Sequence, residues 1–145
     1  MMATLQAISD ALAALGYPIH LLSAEGPSDD VTPPVPYLVL APATGSGLLP
    51  EEMPLCGPNG SLEFDLRVTA VGYPADSPVK VQQRVRDVLA PGLGAAQIAA
   101  VGRFITTAYL RTEVASQLDR DVSIAGANRH PSWGVDTYRV SVQTV

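Results

Sequence analysis

The side chains that could act as nucleophiles in this chain of 145 residues are few. Ser77-Pro78-Val79-Lys80 matches the Ser-x-x-Lys pattern, in which a lysine activates a serine for acyl transfer. The other two motifs of that enzyme class are missing, so we expect Ser77 to cap a helix and Lys80 to be solvated. Cys56 would need a nearby histidine to hold it as a thiolate. His20 and His130 lie far from it in sequence, which favours Cys56 as a small apolar contact in a loop.

Metal and nucleotide sites are also weakly indicated. The segments Asp119-Arg120-Asp121 and Asp29-Asp30 each bring two carboxylates together, but neither has the ligand spacing of a calcium loop. Gly92-Leu93-Gly94 resembles half of a dinucleotide-binding fingerprint, but it follows a predicted helix where the fingerprint needs a strand. One cysteine and two histidines exclude a cysteine-based metal centre. We therefore predict no metal, no cofactor and no enzymatic activity.

The composition points to a protein whose surface is covered by partners. Hydrophobic residues make up 47% of the chain, but charged residues only 16%, against roughly 25% in an ordinary soluble domain. Interface cores are depleted of charge, so a neutral surface favours protein–protein contact. The net charge of −5 argues against tight binding of nucleic acid, which requires clustered lysine and arginine.

The length fits a single domain over residues 1–145. The first residues lack the basic region and apolar run of a signal peptide, and no apolar stretch is long enough to cross a membrane. We expect a protein of the cytoplasm or of a virus particle.

Two helices are predicted from the spacing of apolar residues. Over residues 4–15, leucine and isoleucine recur at steps of three and four, and Gly16 and Pro18 follow as stop signals. The second helix has Asp76 or Ser77 as its cap and Pro78 at its first position. Its apolar face is Val81, Val85, Val88 and Leu89, and Pro91-Gly92 ends it.

Strands are predicted over 18–24, 37–41, 61–71, 103–114 and 135–145. The run 37–41 is continuously apolar, which is typical of a strand buried on both faces, whereas 61–71 alternates strictly between apolar and polar residues. Residues 92–102 are ambiguous, with one helical turn as an option, and 115–134 are polar and rich in turn formers. The segments 25–36 and 42–60 are rich in proline and glycine and are predicted to be long loops. The fold class is therefore α+β, with a single mostly antiparallel β-sheet and two α-helices packed on one face.

Several residues are candidates for contact with a partner. Trp133 lies between turn formers and is either a core residue or a surface contact. Arginines on the polar faces of strands are either solvated or paired with acids of an adjacent subunit. The residues that we select as partner contacts are Arg103, Arg111, Asp119, Asp121, Trp133 and Arg139.

The chain resembles a known family: the tail terminator proteins of long-tailed, siphovirus-type bacteriophages, particularly those of actinobacterial hosts. Four segments in this order carry the resemblance over nearly the whole chain. They are the helix Thr4–Leu15, the run Pro36-Tyr37-Leu38-Val39-Leu40, the strand ending Val68-Thr69-Ala70-Val71-Gly72 with the helix containing Gln82-Gln83-Arg84-Val85-Arg86, and Asp119-Arg120-Asp121 before Gly134-Val135-Asp136-Thr137-Tyr138-Arg139-Val140. Residues 44–59 and 123–133 fit the family pattern least.

The resemblance implies a structural protein of the virion tail and neck, assembled in the host cytoplasm. Such proteins form a homo-hexameric ring that caps the head-proximal end of the tail tube, stops polymerisation of the tube protein and joins the head-completion or neck protein. Six copies at −5 each would carry −30, and genomic DNA would pass through the channel without specific binding. Two alternatives stay open. One is another neck or head–tail connector protein of the same particle, and the other is a small-molecule-binding or enzymatic α+β domain.

Overall fold

The computed structural model describes residues 2–22, 36–43, 61–73, 77–119 and 130–144. Two helices and six strands occupy most of these residues. In chain order they are α1 (Met2–Leu12), β1 (Ile19–Leu21), β2 (Tyr37–Pro42), β3 (Ser61–Gly72), α2 (Ser77–Leu89), β4 (Ala95–Ala100), β5 (Arg103–Leu118) and β6 (Ser132–Thr144). The loops predicted over 25–36 and 42–60 lie largely outside the described residues.

The six strands form one curled, mostly antiparallel sheet in the order β1-β2-β3-β6-β5-β4. Only β1 and β2 run parallel; every other neighbouring pair is antiparallel. The longest ladder without a register shift joins β3 to β6, from Ser61 opposite Gln143 to Gly72 opposite Ser132. With both helices on one face of this sheet, the predicted α+β class is confirmed.

The helix face of the sheet forms the core because the strands alternate as predicted. Leu5, Ile8 and Leu12 of α1 are fully buried, and so are the apolar residues of α2 at positions 81, 85 and 89. They pack against the buried apolar side chains of the strands, which are Leu38, Leu40, Phe64, Leu66, Val68, Ala70, Ile105, Tyr138, Val140 and Val142. We call the opposite sheet face the outer face.

The predicted end of the first helix is confirmed, with a change of geometry in its last turn. After Leu12 the chain tightens into a 3-10 turn over Ala13–Leu15, and Gly16 follows with φ of 82°. This left-handed conformation favours glycine, and the Gly16 N–H donates to the Ala13 carbonyl at 3.1 Å.

Four expectations about strands need correction. β2 is not buried on both faces: Leu38 and Leu40 are buried, but Tyr37 and Val39 are only half-buried. Residues 95–100 form an edge strand, β4, after a short 3-10 turn over Pro91–Leu93. β5 continues to Leu118 and β6 begins at Ser132, so both enter the segment predicted to be turn-rich. Polar residues can extend these strands because the two strands pair with each other as far as Leu118 and Ser132.

Candidate functional site

A buried polar network connects α2 to the two strands beneath it. Arg86 of α2 makes a two-pronged contact with Asp136 of β6, at 2.8 Å from Nε to Oδ2 and 3.3 Å from Nη2 to Oδ1. The Asp136 side chain is 1% exposed and that of Arg86 23%. Thr112 of β5 donates its hydroxyl to Asp136 Oδ1 at 2.7 Å. Because ionised donors and acceptors make the stronger hydrogen bonds, this pair fixes the helix to the sheet.

Gln82 completes the network at an irregular part of the sheet. The register of β5 shifts between Thr112 and Val114, which marks a β-bulge. The Gln82 side chain donates to the Val114 carbonyl at 3.2 Å and to Asp136 Oδ1 at 3.4 Å. Gln82 is 2% exposed, so these bonds satisfy an amide that burial would otherwise penalise.

Gly134 makes room for Gln82. A β-carbon at residue 134 would lie 2.7 Å from the Gln82 Nε2 atom and 2.6 Å from the Ala115 carbonyl oxygen. Both distances are shorter than any ordinary carbon contact. The glycine is therefore required by the close approach of helix side chain and bulged strand.

Two tyrosines border the network. The Tyr109 and Tyr138 rings meet edge to face at 6.0 Å, and the Arg86 guanidinium lies 5.4 Å above the Tyr109 ring. The Thr112 hydroxyl already donates its hydrogen bond to Asp136. In the 2.8 Å contact between the Tyr109 and Thr112 hydroxyls, the tyrosine is therefore the donor. Burial, reinforced by the charge of Asp136, raises the pKa of the Tyr138 phenol well above its ordinary value. The hydrogen bond to Asp136 is the main cause that raises the pKa of Arg86.

This network has the character of a structural lock. Both oxygens of Asp136 already accept hydrogen bonds from side chains of the chain itself. A catalytic carboxylate must be able to contact its substrate, whereas the Asp136 oxygens are buried. The network was not found in the sequence, because Gln82, Thr112 and Asp136 come from three separate elements.

The outer face carries a second, half-exposed set of polar pairs across β3, β6 and β5. Ser141 donates to Glu63 at 3.0 Å, and Arg139 Nε lies 2.6 Å from Asp65 Oδ1 in the next directly opposed pair. Glu113 of β5 accepts from Thr137 at 2.9 Å. The same carboxylate pairs with Arg67 at 3.2 Å and with Arg111 at 3.4 Å.

The structure thus gives two of the selected arginines a partner within the chain. Arg139 pairs with Asp65, and Arg111 pairs with Glu113. Their side chains remain 49% and 55% exposed, so both remain accessible for contact. Contrary to the prediction, Arg103 does not lie on the polar face of its strand. By strand alternation it lies on the helix-facing side of the sheet with Ile105, at the end of the sheet.

Trp133 and Asp119 lie near the opposite end of the strands. Trp133 is half-buried at the start of β6, where it pairs with Val71 of β3 and Gln117 of β5. Asp119 follows β5, and its N–H donates to the Pro131 carbonyl at 2.9 Å. Burial, followed by the charge of Asp119, raises the pKa of Tyr37 on β2. Asp121 lies outside the described residues, and the five selected residues that are described are not brought together at one point.

The candidate nucleophiles do not form a reactive pair among the described residues. Ser77 begins α2 and packs so closely on Gly72 that no side chain fits there. Lys80 is exposed on the same helix. His20 is half-buried edge-on against Tyr37, with 5.4 Å between ring centres. Cys56 and the pair Asp29-Asp30 lie outside the described residues.

The two ends of the sheet are strands without a second neighbour in the described part of the chain. These are β1 at one edge and β4 at the other. Exposed apolar side chains lie beside both: Leu22 follows β1, and Leu93, Val101 and Phe104 flank β4. A groove of about 670 Å³ lies between α1 and β4, lined by Ala7, Asp10, Ala11, Ile98, Ala99, Ala100 and Val101. The sequence did not indicate this surface because residues 95–100 have no clear periodicity.

The described residues show neither a metal-binding group nor a helix fit to span a membrane. No cluster of three or more histidine, cysteine, aspartate or glutamate side chains there could hold a metal ion. Neither described helix is long and apolar enough to cross a lipid bilayer.

Comparison with known proteins identifies no relative. No family model matches the chain, and no curated protein has detectable sequence similarity to it.

Proposed function

We propose that this protein is a structural component of a long-tailed bacteriophage particle, a tail terminator. In this role six copies form a ring on the head-proximal end of the tail tube. The ring ends polymerisation of the tube protein and provides the joint to the head-completion or neck protein. DNA passes through its channel, and the protein acts without enzymatic chemistry, metal or cofactor.

The observation that carries the proposal is the sheet with two neutral edges flanked by exposed apolar side chains. Edge strands present unpaired backbone groups, which are a template for pairing with another chain. Such a surface suits a protein that functions in an assembly. The order of elements agrees with the segments that carry the family resemblance, including α1 before β2 and β3 leading into α2.

The charge distribution supports the same role. On the outer face, Asp65 and Glu113 pair with arginines of the chain and Glu63 accepts a hydrogen bond from Ser141, so each of these three acids has a partner within the chain. With a net charge of −5, the chain has little attraction for DNA phosphates. A protein that lets DNA pass needs this lack of attraction.

Two measurements test the proposal. Gold-labelled antibody against this chain, imaged on intact particles, should bind where the tail tube meets the head. A phage mutant lacking the protein should then make tubes of uncontrolled length. Label at the junction together with tubes of normal length would identify another neck or connector protein. Label at the distal tip, or on no particle, would contradict both structural roles and favour a binding or enzymatic domain.

A further inference from the structure

We infer that β4 of one copy pairs with β1 of the next, so that the sheet continues from subunit to subunit around the ring. This inference rests on the proposed function, because it names the contact that would build the proposed ring. The occupant of the groove beside β4 is thus a second copy of this chain, through residues 18–22.

The first argument is the chemistry of the β4 edge. Residues 92–102 contain no charged residue and no proline, the two devices that most often protect an edge strand from pairing. Four of the six residues of β4 are alanine, and Ala7 and Ala11 line the α1 side of the groove. Such a surface fits an extended, uncharged segment with larger apolar side chains, because small residues leave room for them.

The second argument is that the same sheet offers a matching edge. In the described part of the sheet β1 is the other outermost strand, and Ile19-His20-Leu21-Leu22 carries no lysine, arginine, carboxylate or proline, since Pro18 lies just before the strand. β1 runs parallel to β2, and four antiparallel steps lead from β2 to β4, so β1 and β4 run in the same direction. A rotation about an axis along the strands therefore places β1 of the next copy parallel to β4. Such a head-to-tail contact generates a ring when the rotation between successive copies closes, as the proposed hexamer requires.

The third argument is charge complementarity at the rims. Asp10 is exposed on α1 beside the β4 groove, where Gln6 donates to it at 2.9 Å. Arg84 is exposed on α2 at the β1 side, and its Nη1 donates to the Tyr17 hydroxyl at 2.6 Å. Tyr17 lies two residues before the start of β1, so we expect pairing of the two edges to bring these opposite charges toward each other.

Variants at the edges test the contact by the concentration at which the protein assembles. Val101→Asp places a charge at a fully exposed position, so the fold should be unaffected, yet assembly would desolvate the carboxylate. We expect the concentration for half-assembly, measured by light scattering, to rise about tenfold or more. The matched control is Val79→Asp, which adds the same charge at an exposed valine on α2 and should assemble like the wild type.

Asp10→Arg or Arg84→Asp alone should weaken assembly, and the two together should restore it.

Cross-linking tests which strands meet. In a Cys56→Ser background, Ala99→Cys protein and Leu22→Cys protein should join through a short bismaleimide only when the two are mixed. A chain with both cysteines should give a ladder of multimers. Cross-linking of Ala99→Cys protein with itself would show β4 pairing with β4 and overturn the inference. Joining of Ala99→Cys to the tube protein alone would identify that protein as the occupant and also overturn it.

The outcomes separate this inference from the proposed function. Rings that form equally well with Val101→Asp, without cross-links between residues 99 and 22, would overturn the edge contact and leave the tail role standing. A wild type that stays monomeric with and without the tube protein would overturn the edge contact. The tube-length experiment on the phage would then decide the function separately.

Discussion

Arg86 and Asp136 form a two-pronged ion pair in which one partner is almost completely buried. The Asp136 carboxylate is 1% exposed, and it accepts from Arg86 at 2.8 Å and from Thr112 at 2.7 Å. The pair joins the last turn of α2 to β6, beside the bulged part of β5. It therefore holds the helix layer in one register against the sheet.

Arg86→Met should destabilise the protein by about 3–5 kcal/mol, because it leaves the Asp136 charge buried without its main partner. The free energy of unfolding in urea measures this loss. Arg84→Met is the matched control on the same helix. Its side chain is exposed, so we expect a change of less than about 1 kcal/mol.

A second variant separates the pair from the remaining buried charge. Arg86→Met with Asp136→Leu replaces both ions by apolar side chains, and it should recover part of the loss. The structural lock would be contradicted if the free energy of unfolding of the single variant Arg86→Met were within about 1 kcal/mol of the wild-type value.

Gly134→Ala should destabilise the protein by about 1–3 kcal/mol, the usual cost of overpacking. The added β-carbon would meet the Ala115 carbonyl at 2.6 Å and the Gln82 amide at 2.7 Å. Adding Gln82→Ala to Gly134→Ala removes only the side-chain clash. If the stability losses of Gln82→Ala and Gly134→Ala simply add in the double variant, removal of the Gln82 side chain relieves no clash. The backbone contact to Ala115 is then the main obstacle. Full stability of Gly134→Ala in a thermal or urea melt would show that the bulge adapts.

Tyr138→Phe should reduce the loss of stability in alkali. The folded state raises the pKa of Tyr138 above its ordinary value of 10.0, since burial disfavours the phenolate. Above about pH 10 the unfolded chain releases this proton while the folded chain retains it, so stability falls by up to about 1.4 kcal/mol per pH unit. Below that pH the contribution is fully present. Urea unfolding at pH 8 and pH 11 should show a shallower decline for the phenylalanine variant.

The pH 8 measurement serves as the control for Tyr138→Phe. The Tyr138 hydroxyl has no hydrogen-bond partner within the described part of the chain. Its removal should leave the stability unchanged or raise it by up to about 1–2 kcal/mol. An equally steep alkaline decline in both proteins would assign the pH dependence to other groups, such as Tyr37.

Much of the fold could be predicted because the elements are locally consistent. The strict alternation over residues 61–71 and the helical spacing of Val81, Val85 and Leu89 each describe one buried face. These patterns need no knowledge of neighbours. By contrast, β4 is built from alanines, glutamine and isoleucine without a period, and it is a strand because β5 provides the hydrogen-bonding edge.

The polar clusters could not be predicted, because their members are distant in sequence. Glu113 contacts Arg67 and Thr137 only after three strands align, and a register shift in β5 determines which face it occupies. A single sequence contains no signal for that shift. The same holds for Asp136, whose partners Gln82 and Arg86 come from a helix and lie 54 and 50 positions earlier in the sequence.

Arg139→Ala should have little effect on the isolated chain despite its short contact with Asp65. The two side chains are 49% and 25% exposed, and solvent weakens ion pairs of this kind to below about 1 kcal/mol. Arg139 is also a selected partner contact, so assembly is the second readout. Assembly weakened about tenfold or more with unchanged unfolding would show that Arg139 contacts a partner. The matched variant Asp65→Asn removes the same ion pair but keeps the arginine. If both variants weaken assembly equally, the pair acts by positioning Arg139. If the concentration for half-assembly is unchanged in both variants, this part of the outer face is excluded from the interface.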